Sequence, residues 1–333
     1  MRSLRGPKEA VDPWAAPPIT IESERLPAAG GLPARAVEAL TVFLHGAECP
    51  FTCVFCDLWR HTLDTPTPPG ALPRQLELAL AEAARAGPLP ELIKLYNASN
   101  FFDSRAVPEE DDEPLARLLE PFLRTPDSRV VVECHPRLVG ERCRSFGERV
   151  EGRLQVALGV ETVHPEAQPR LGKGASLDDL RAAVRRLRSW GLGWRAFVLV
   201  AAPFVPAEED LEWVAASARF ALDEGAEHIA LIPVRGGDGA LEELARRGEF
   251  HPPSLGQLEQ ALDRCLELAS GQGVIRHGAF RQGAESAVTA DLWDLERFSS
   301  CPSCLSRRRE RLERINLSGR TEASIHCEDC SHG

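Results

Sequence analysis

Short apolar runs alternate along the chain with longer stretches in which apolar positions return every three or four residues. Six runs read as strands: Leu40 to Leu44, Glu91 to Tyr96, Arg129 to Cys134, Leu154 to Gly159, Trp194 to Val200 and Glu227 to Ile232. Amphipathic helices lie between them. Pro73 opens one that runs through Ala86 and stops at Gly87. Another lies near Leu115 to Leu123. A third starts at Ser176-Leu-Asp-Asp179, a capping box with Asp in place of the usual Glu, and ends at Gly191. A fourth covers about Glu208 to Glu224. Strands alternating with helices predict βα units around a parallel sheet, an α/β fold.

The flanks of this pattern differ. Residues 1–36 hold Pro7, Pro13, Pro17, Pro18, Pro27 and Pro33 with little periodicity and are expected to form an irregular arm. The alternating core covers 37–238. Residues 239–300 read as a helical extension, with a capping box at Ser254 and Gln257 opening a helix to about Ser270. Residues 301–333 form a cysteine-bearing tail.

Composition narrows the classes. A chain of 333 residues can bury one large α/β barrel or two domains. No run approaches the roughly 20 apolar residues of a membrane span, and no signal-peptide apolar region is seen, so no membrane partner is expected. Ten cysteines, seven of them in metal-like groups, suit a reducing cytoplasm better than a disulfide framework. The net charge of −11 argues against a generally basic surface for nucleic acid, though not against a local basic patch. Lys8, Lys94 and Lys173 are the only lysines and Tyr96 the only tyrosine, which makes Lys94, Tyr96 and Lys173 unusual choices.

The candidate chemistry begins after the first strand. Residues 48–57 read Glu-Cys-Pro-Phe-Thr-Cys-Val-Phe-Cys-Asp, placing Cys49, Cys53 and Cys56 in a C-x3-C-x2-C spacing. Three thiolates on one loop can hold three corners of a 4Fe–4S cluster, leaving one iron open to substrate or cofactor. A zinc knuckle is the alternative, but zinc sites usually pair two knuckles of shorter, even spacing.

This triad, with Phe55 directly before the third cysteine, resembles the signature of the radical S-adenosylmethionine (SAM) superfamily. The resemblance implies a partial (β/α)6 barrel, with the chemistry at the C-terminal ends of its strands. It implies that Cys49, Cys53 and Cys56 bind the cluster, that SAM chelates the open iron, and that Phe55 packs near the adenine. One electron would then cleave SAM to a 5′-deoxyadenosyl radical, supplied by a donor such as flavodoxin or ferredoxin. The order of Lys94-Leu-Tyr-Asn-Ala-Ser-Asn-Phe-Phe-Asp103, Val-Glu-Cys-His-Pro136, Gly-Val-Glu-Thr162, Leu-Gly-Lys-Gly174, Trp-Gly-Leu-Gly193 and Leu-Val-Ala-Ala-Pro-Phe204 is similar to a subgroup. That subgroup contains the radical SAM subunit of archaeosine synthase, a tRNA-modifying enzyme, and bacterial relatives. More distantly the chain is similar to the catalytic subunit of Elongator.

Within that frame further residues become candidates. The turn after the second strand, where many radical SAM enzymes carry Gly-Gly-Glu, departs from that pattern; Ser99 and Asn100 stand there as candidate SAM contacts, or as a plain polar turn. Glu133 and Glu161 end the third and fourth strands, where a carboxylate needs a partner. They could accept from ribose hydroxyls or a substrate amine, or pair with an arginine such as Arg195. Lys173 and Arg195 could counter the SAM carboxylate, or be ordinary surface charges. Cys134 is a candidate redox or hydrogen-donating thiol if it reaches the mouth; Cys143 and Cys265 read as structural.

The tail holds Cys301-Pro-Ser-Cys304 and Cys327-Glu-Asp-Cys330, two C-x2-C pairs separated by 22 residues. Four thiolates so arranged fit a structural zinc site, with a second Fe–S cluster as the alternative. Between them Arg307 to Arg309, Arg311 and Arg314 form a basic run that could grip RNA phosphate. The sequence thus points to a radical SAM enzyme modifying a tRNA nucleoside. The alternatives are one acting on a small metabolite or peptide, and a metal-stabilised RNA-binding module without catalysis.

Overall fold

A computed structural model describes residues 5–26, 34–88, 90–125, 127–236, 239–270, 286–298 and 301–330. Eight strands form one sheet in chain order: β1 Ile19–Leu26, β2 Arg35–Phe43, β3 Leu92–Tyr96, β4 Arg129–Glu133, β5 Leu154–Glu161, β6 Gly193–Val200, β7 His228–Pro233 and β8 Ala287–Ala290. β1 pairs antiparallel with β2, and every later neighbour is parallel. The helices are α1 Ala71–Ala86, α2 Asp112–Leu119, α3 Glu141–Arg149, α4 Ala167–Arg170, α5 Leu177–Ser189, α6 Asp210–Asp223, α7 Ala240–Arg246, α8 Leu255–Ser270 and α9 Pro302–Ser318.

The six expected strands correspond to β2 through β7. Two strands were not expected. β1 lies inside the supposedly irregular arm, and β8 inside the supposedly helical extension. Both are edge strands, and each differs from the inner ones in composition. β1, Ile-Thr-Ile-Glu-Ser-Glu-Arg-Leu, is half polar, and β8 is only four residues long. Edge strands need less apolar surface, so the signal that reveals inner strands is weak in them.

The helices dock because their apolar residues fall on one face. α1 buries Leu72, Leu76, Ala79 and Ala83, and α5 buries Leu180, Ala183, Val184 and Leu187. At the start of α5 the predicted capping box forms: Ser176 Oγ accepts from the Asp179 N–H at 3.1 Å, and Asp179 Oδ2 accepts from the Ser176 N–H at 2.8 Å.

The strands alternate their side chains strictly. Val42, Leu95, Val132, Val156, Val198 and Leu231 face the helices and form the main core. Val37, Ala39, Leu92, Val131 and Ala157 face the other way, beside Tyr96 and Phe197, and line a lumen. How far the sheet curls is read from Glu24. From edge strand β1 its carboxylate meets Lys94 of β3 at 3.0 Å, Arg195 of β6 at 2.8 Å and His228 of β7 at 3.4 Å. A side chain from one edge reaches the far half of the sheet only if the sheet is rolled nearly into a barrel.

α9 lies against both edges, β1 and β8. Asn316 gives Ala290 of β8 the two hydrogen bonds a ninth strand would give: Oδ1 accepts from its N–H and Nδ2 donates to its carbonyl, both at 2.9 Å. Arg25 of β1 donates to the Ser318 carbonyl at 2.7 Å. The helix thereby covers backbone groups that an open edge would leave unpaired.

Candidate cluster site at the barrel mouth

The cysteine loop leaves β2 at the C-terminal end of the parallel strands and crosses the mouth before α1 begins. The opposite loops hold it there. The Val54 N–H donates to the Leu171 carbonyl at 2.9 Å. Val54 and Phe55 pack into an apolar cluster that includes Leu171 from the loop after β5 and Leu199, Ala202 and Val234 from the ends of β6 and β7. Gly172 has φ of +72°, and a Cβ there would lie 2.9 Å from the Thr52 carbonyl, so the approach of the two loops requires glycine.

Phe51, inside the loop, stacks on His135 from the end of β4, with ring centroids 3.6 Å apart and planes 16° apart. His135 Nδ1 accepts from the Arg137 N–H at 3.2 Å, so the proton sits on Nε2, which donates to the Lys173 carbonyl at 3.0 Å. Burial, helped by the Lys173 charge, pulls its pKa down to about 4 and keeps the ring neutral. One imidazole therefore ties three loops together. The sequence reading quoted His135 but gave it no role.

All three loop thiols are partly buried, and burial raises their pKa values, that of Cys53 to about 12. Without metal they are protonated, and binding a cation would release the protons. Asn100 Nδ2 donates to Cys49 Sγ at 3.1 Å, so this candidate does reach the loop. Among the described residues only Cys301, Cys304 and Cys327 form a group whose sulfurs all lie within 4.8 Å of one another. The three mouth sulfurs are therefore spread more widely than a tetrahedral zinc, with sulfurs about 3.8 Å apart, would hold them. That spread fits the polynuclear group that the spacing suggests.

The two glutamates occupy different environments. Glu161, with φ of +63°, accepts from Lys173 Nζ at 2.8 Å, and Lys173 also donates to the Gly159 carbonyl. A Cβ on Gly159 would fall onto the Glu161 carboxylate, so glycine makes room for this pair. Cys53 feels both charges. Glu133 pairs with no basic side chain among the described residues. Burial and the nearby Glu161 push its pKa up to about 8, and only the Asn97 N–H opposes them. Ser99 Oγ and Asn97 Nδ2, both buried, have no hydrogen-bond partner, which leaves two unspent groups beside Glu133 at the end of β3.

Three of the candidate groups lie away from the mouth or are engaged within the chain. Arg195 does not reach the mouth: it is buried low in the lumen, donating to Glu24 at 2.8 Å and to Gln155 at 2.8 Å. Cys134 faces away from the lumen into the helix-side core with Val130, Val132 and Cys143, because it alternates with Glu133; it is not placed to donate hydrogen at the mouth. The basic run in the tail is largely committed. Arg311 is buried and donates to Asp263 at 2.7 Å, Glu259 at 3.3 Å and the Ala323 carbonyl at 2.9 Å. Arg308 bonds Glu259 and also donates to Cys304 Sγ at 3.3 Å. Arg309 meets Glu296 at 3.0 Å.

In the tail, Cys301 and Cys327 Sγ lie 3.7 Å apart, near the spacing a tetrahedral zinc–thiolate site imposes. The side chain of Cys330, the expected fourth ligand, lies outside the described residues.

No family model matches the chain. Over 240 residues it is 20% identical to an uncharacterised protein of Methanocaldococcus jannaschii, a match covering 71% of this chain and 63% of that protein. Similar solved structures include the archaeal Elp3 of Methanocaldococcus infernus at 16% identity, covering 58% of this chain and 49% of that one, with a TM-score of 0.46. Coproporphyrinogen III oxidase of Escherichia coli, a radical SAM enzyme, is similar at 14%, 68%, 51% and 0.46 in the same order. A radical SAM methyltransferase of Sphaerobacter thermophilus follows at 17%, 83%, 78% and 0.49. The chain thus spans about half the length of the first two structures.

Proposed function

We propose that this protein is a radical SAM enzyme, with a 4Fe–4S cluster held by Cys49, Cys53 and Cys56. The observation that carries the reading is the thiol triad on one loop across the C-terminal mouth of a parallel barrel. When bound, the cluster would supply one electron for reductive cleavage of SAM, drawn from a flavodoxin or ferredoxin. The chain's own groups would do the rest. Asn100 would donate to the Cys49 sulfur, and His135 and Gly172 would fix the loop. Lys173 would carry positive charge next to Cys53, while Ser99 and Asn97 would offer unspent polar groups to SAM. Work with such a cluster calls for a reducing compartment, the cytoplasm. The tail thiols would hold zinc and keep α9 seated.

For the substrate, resemblance favours a nucleoside in tRNA. A small metabolite or peptide is the second reading, favoured by the engagement of Arg308 and Arg311 with Glu259, which removes them from any RNA-facing surface.

Anaerobic reconstitution tests the core of the proposal. The loaded protein should show a 4Fe–4S signal that SAM perturbs and should form 5′-deoxyadenosine. Cys53→Ala should abolish that product while tail zinc stays bound. Continued SAM cleavage by this variant would overturn the assignment. Mass spectrometry of tRNA from a deletion strain then separates the two substrate readings.

A further inference from the structure

Accessibility along the lumen changes abruptly with depth. Val131, Ala157, Lys94, Arg195 and His228 are buried, and the Glu24 ion-pair network fills this lower level. Two residues further toward the mouth on each of these strands, Tyr96, Glu133, Gly159, Phe197 and Ala230 are all partly exposed, although strands flank each of them. Phe43 is 37% exposed. Lumen-facing residues of a rolled sheet can meet solvent only through an open space above them. The lumen therefore has a floor, and its aromatic side chains form a row. Phe43 meets Tyr96 edge-on at 6.4 Å, and Tyr96 meets Phe197 edge-on at 6.3 Å. Glu133 stands beside Tyr96 on the adjacent strand, each following a member of the register pair Leu95 and Val132. Across from it Ala230 contributes only a methyl group.

We infer that this upper lumen is a substrate pocket, and that it takes a planar ring bearing N–H donors: the ring lies on Phe43, Tyr96 and Phe197, and its donor edge meets the Glu133 carboxylate. Aromatic walls favour flat rings through stacking and edge contacts. A carboxylate in the pocket wall without a cationic partner favours a group that brings donors to it. The cations that could compete are taken by other carboxylates, Lys94 and Arg195 by Glu24 and Lys173 by Glu161. The inference rests on the proposed function only in placing the chemistry at this mouth.

Tyr96 is the only tyrosine, so 3-fluorotyrosine labelling gives one fluorine resonance inside the pocket. At pH 9, above the value of about 8 to which its surroundings push Glu133 and therefore with the carboxylate ionised, we expect 2-aminopyridine to shift that resonance saturably and cyclohexylamine, an amine without a flat ring, to leave it in place. Glu133→Gln should weaken 2-aminopyridine binding about tenfold, as expected for loss of a charge-assisted hydrogen bond. Ala230→Trp should abolish the shift by filling the space. Phe197→Ala, which removes volume instead, should weaken binding without the risk of overpacking. Absence of a saturable shift, an equal response to cyclohexylamine, or unchanged affinity in Glu133→Gln overturns the pocket. The same preparation, loaded with cluster, is assayed for SAM cleavage. Cleavage with a silent fluorine titration overturns the pocket alone, and a clear titration without cleavage overturns only the radical SAM reading.

Discussion

His135 sits at the end of β4, but its ring lies flat against Phe51, in the middle of the cysteine loop, at 3.6 Å. Its Nε2 holds the Lys173 carbonyl from the loop after β5. Removing the ring releases two loops at once. His135→Ala should lose stacking worth about 0.5–1.5 kcal/mol and a hydrogen bond worth about 1 kcal/mol. Iron and sulfide bound per chain after reconstitution should fall. His135→Phe keeps the stack and loses only the hydrogen bonds to Lys173 and Arg137, so it should retain more iron. Equal loading of His135→Ala and wild type would show that the ring does not position the loop.

Glu133 predicts a pH dependence. Its pKa rises from 4.5 to about 8 on folding, so between these values the folded state holds the proton more firmly. Stability from this group is fully present below pH 4.5 and is lost as pH rises toward 8. Melting temperature should therefore fall over that range more steeply in wild type than in Glu133→Gln. Parallel curves for the two proteins would refute the buried, unpaired state of the carboxylate.

Glu24 holds the lower lumen. Burial alone would raise its pKa, but Arg195, Lys94 and His228 outweigh it and drive the value well below the usual carboxylate range. Glu24→Ala would leave Lys94 with Glu22 alone and Arg195 with Gln155. A cost of about 3–5 kcal/mol is expected, as for breaking buried pairs elsewhere. Urea denaturation reads it directly. A loss below about 1 kcal/mol would mean the network behaves like a solvated surface.

The tail should couple metal to the sheet edges. Arg308 joins Cys304 to Glu259, and α9 covers β1 and β8, so a chelator that strips the proposed tail zinc should loosen α9. Hydrogen exchange should speed up at Ala290 and its β8 neighbours before the central strands respond. Arg311→Ala should mimic this effect and also destabilise the fold. RNA binding is better tested at exposed Arg307, whose loss should not disturb packing.

Much of the fold was legible because its inner strands and helices carry strong periodic signals. β2 through β7 are apolar runs, and α5 announces itself with Ser176 and Asp179. The cysteine spacing marked the mouth loop equally clearly, since ligands on one short loop are local in sequence. Edge strands β1 and β8 escaped, being polar in one case and very short in the other. The outward direction of Cys134 was derivable: strand alternation sends it opposite to Glu133.

By itself the sequence determined the α/β alternation, the two groups of cysteines and the acidic ends of β4 and β5, because each is written in neighbouring residues. Only tertiary structure decided which charge meets which. Arg195 could have served the mouth or the lower lumen, and Glu24, separated from it by 171 positions, settled the matter once the sheet curled. The same curling put Phe43, Tyr96 and Phe197 in one row and pressed Phe51 onto His135. Contacts of that kind depend on how far a sheet rolls, a property of all eight strands together that no local run of residues encodes.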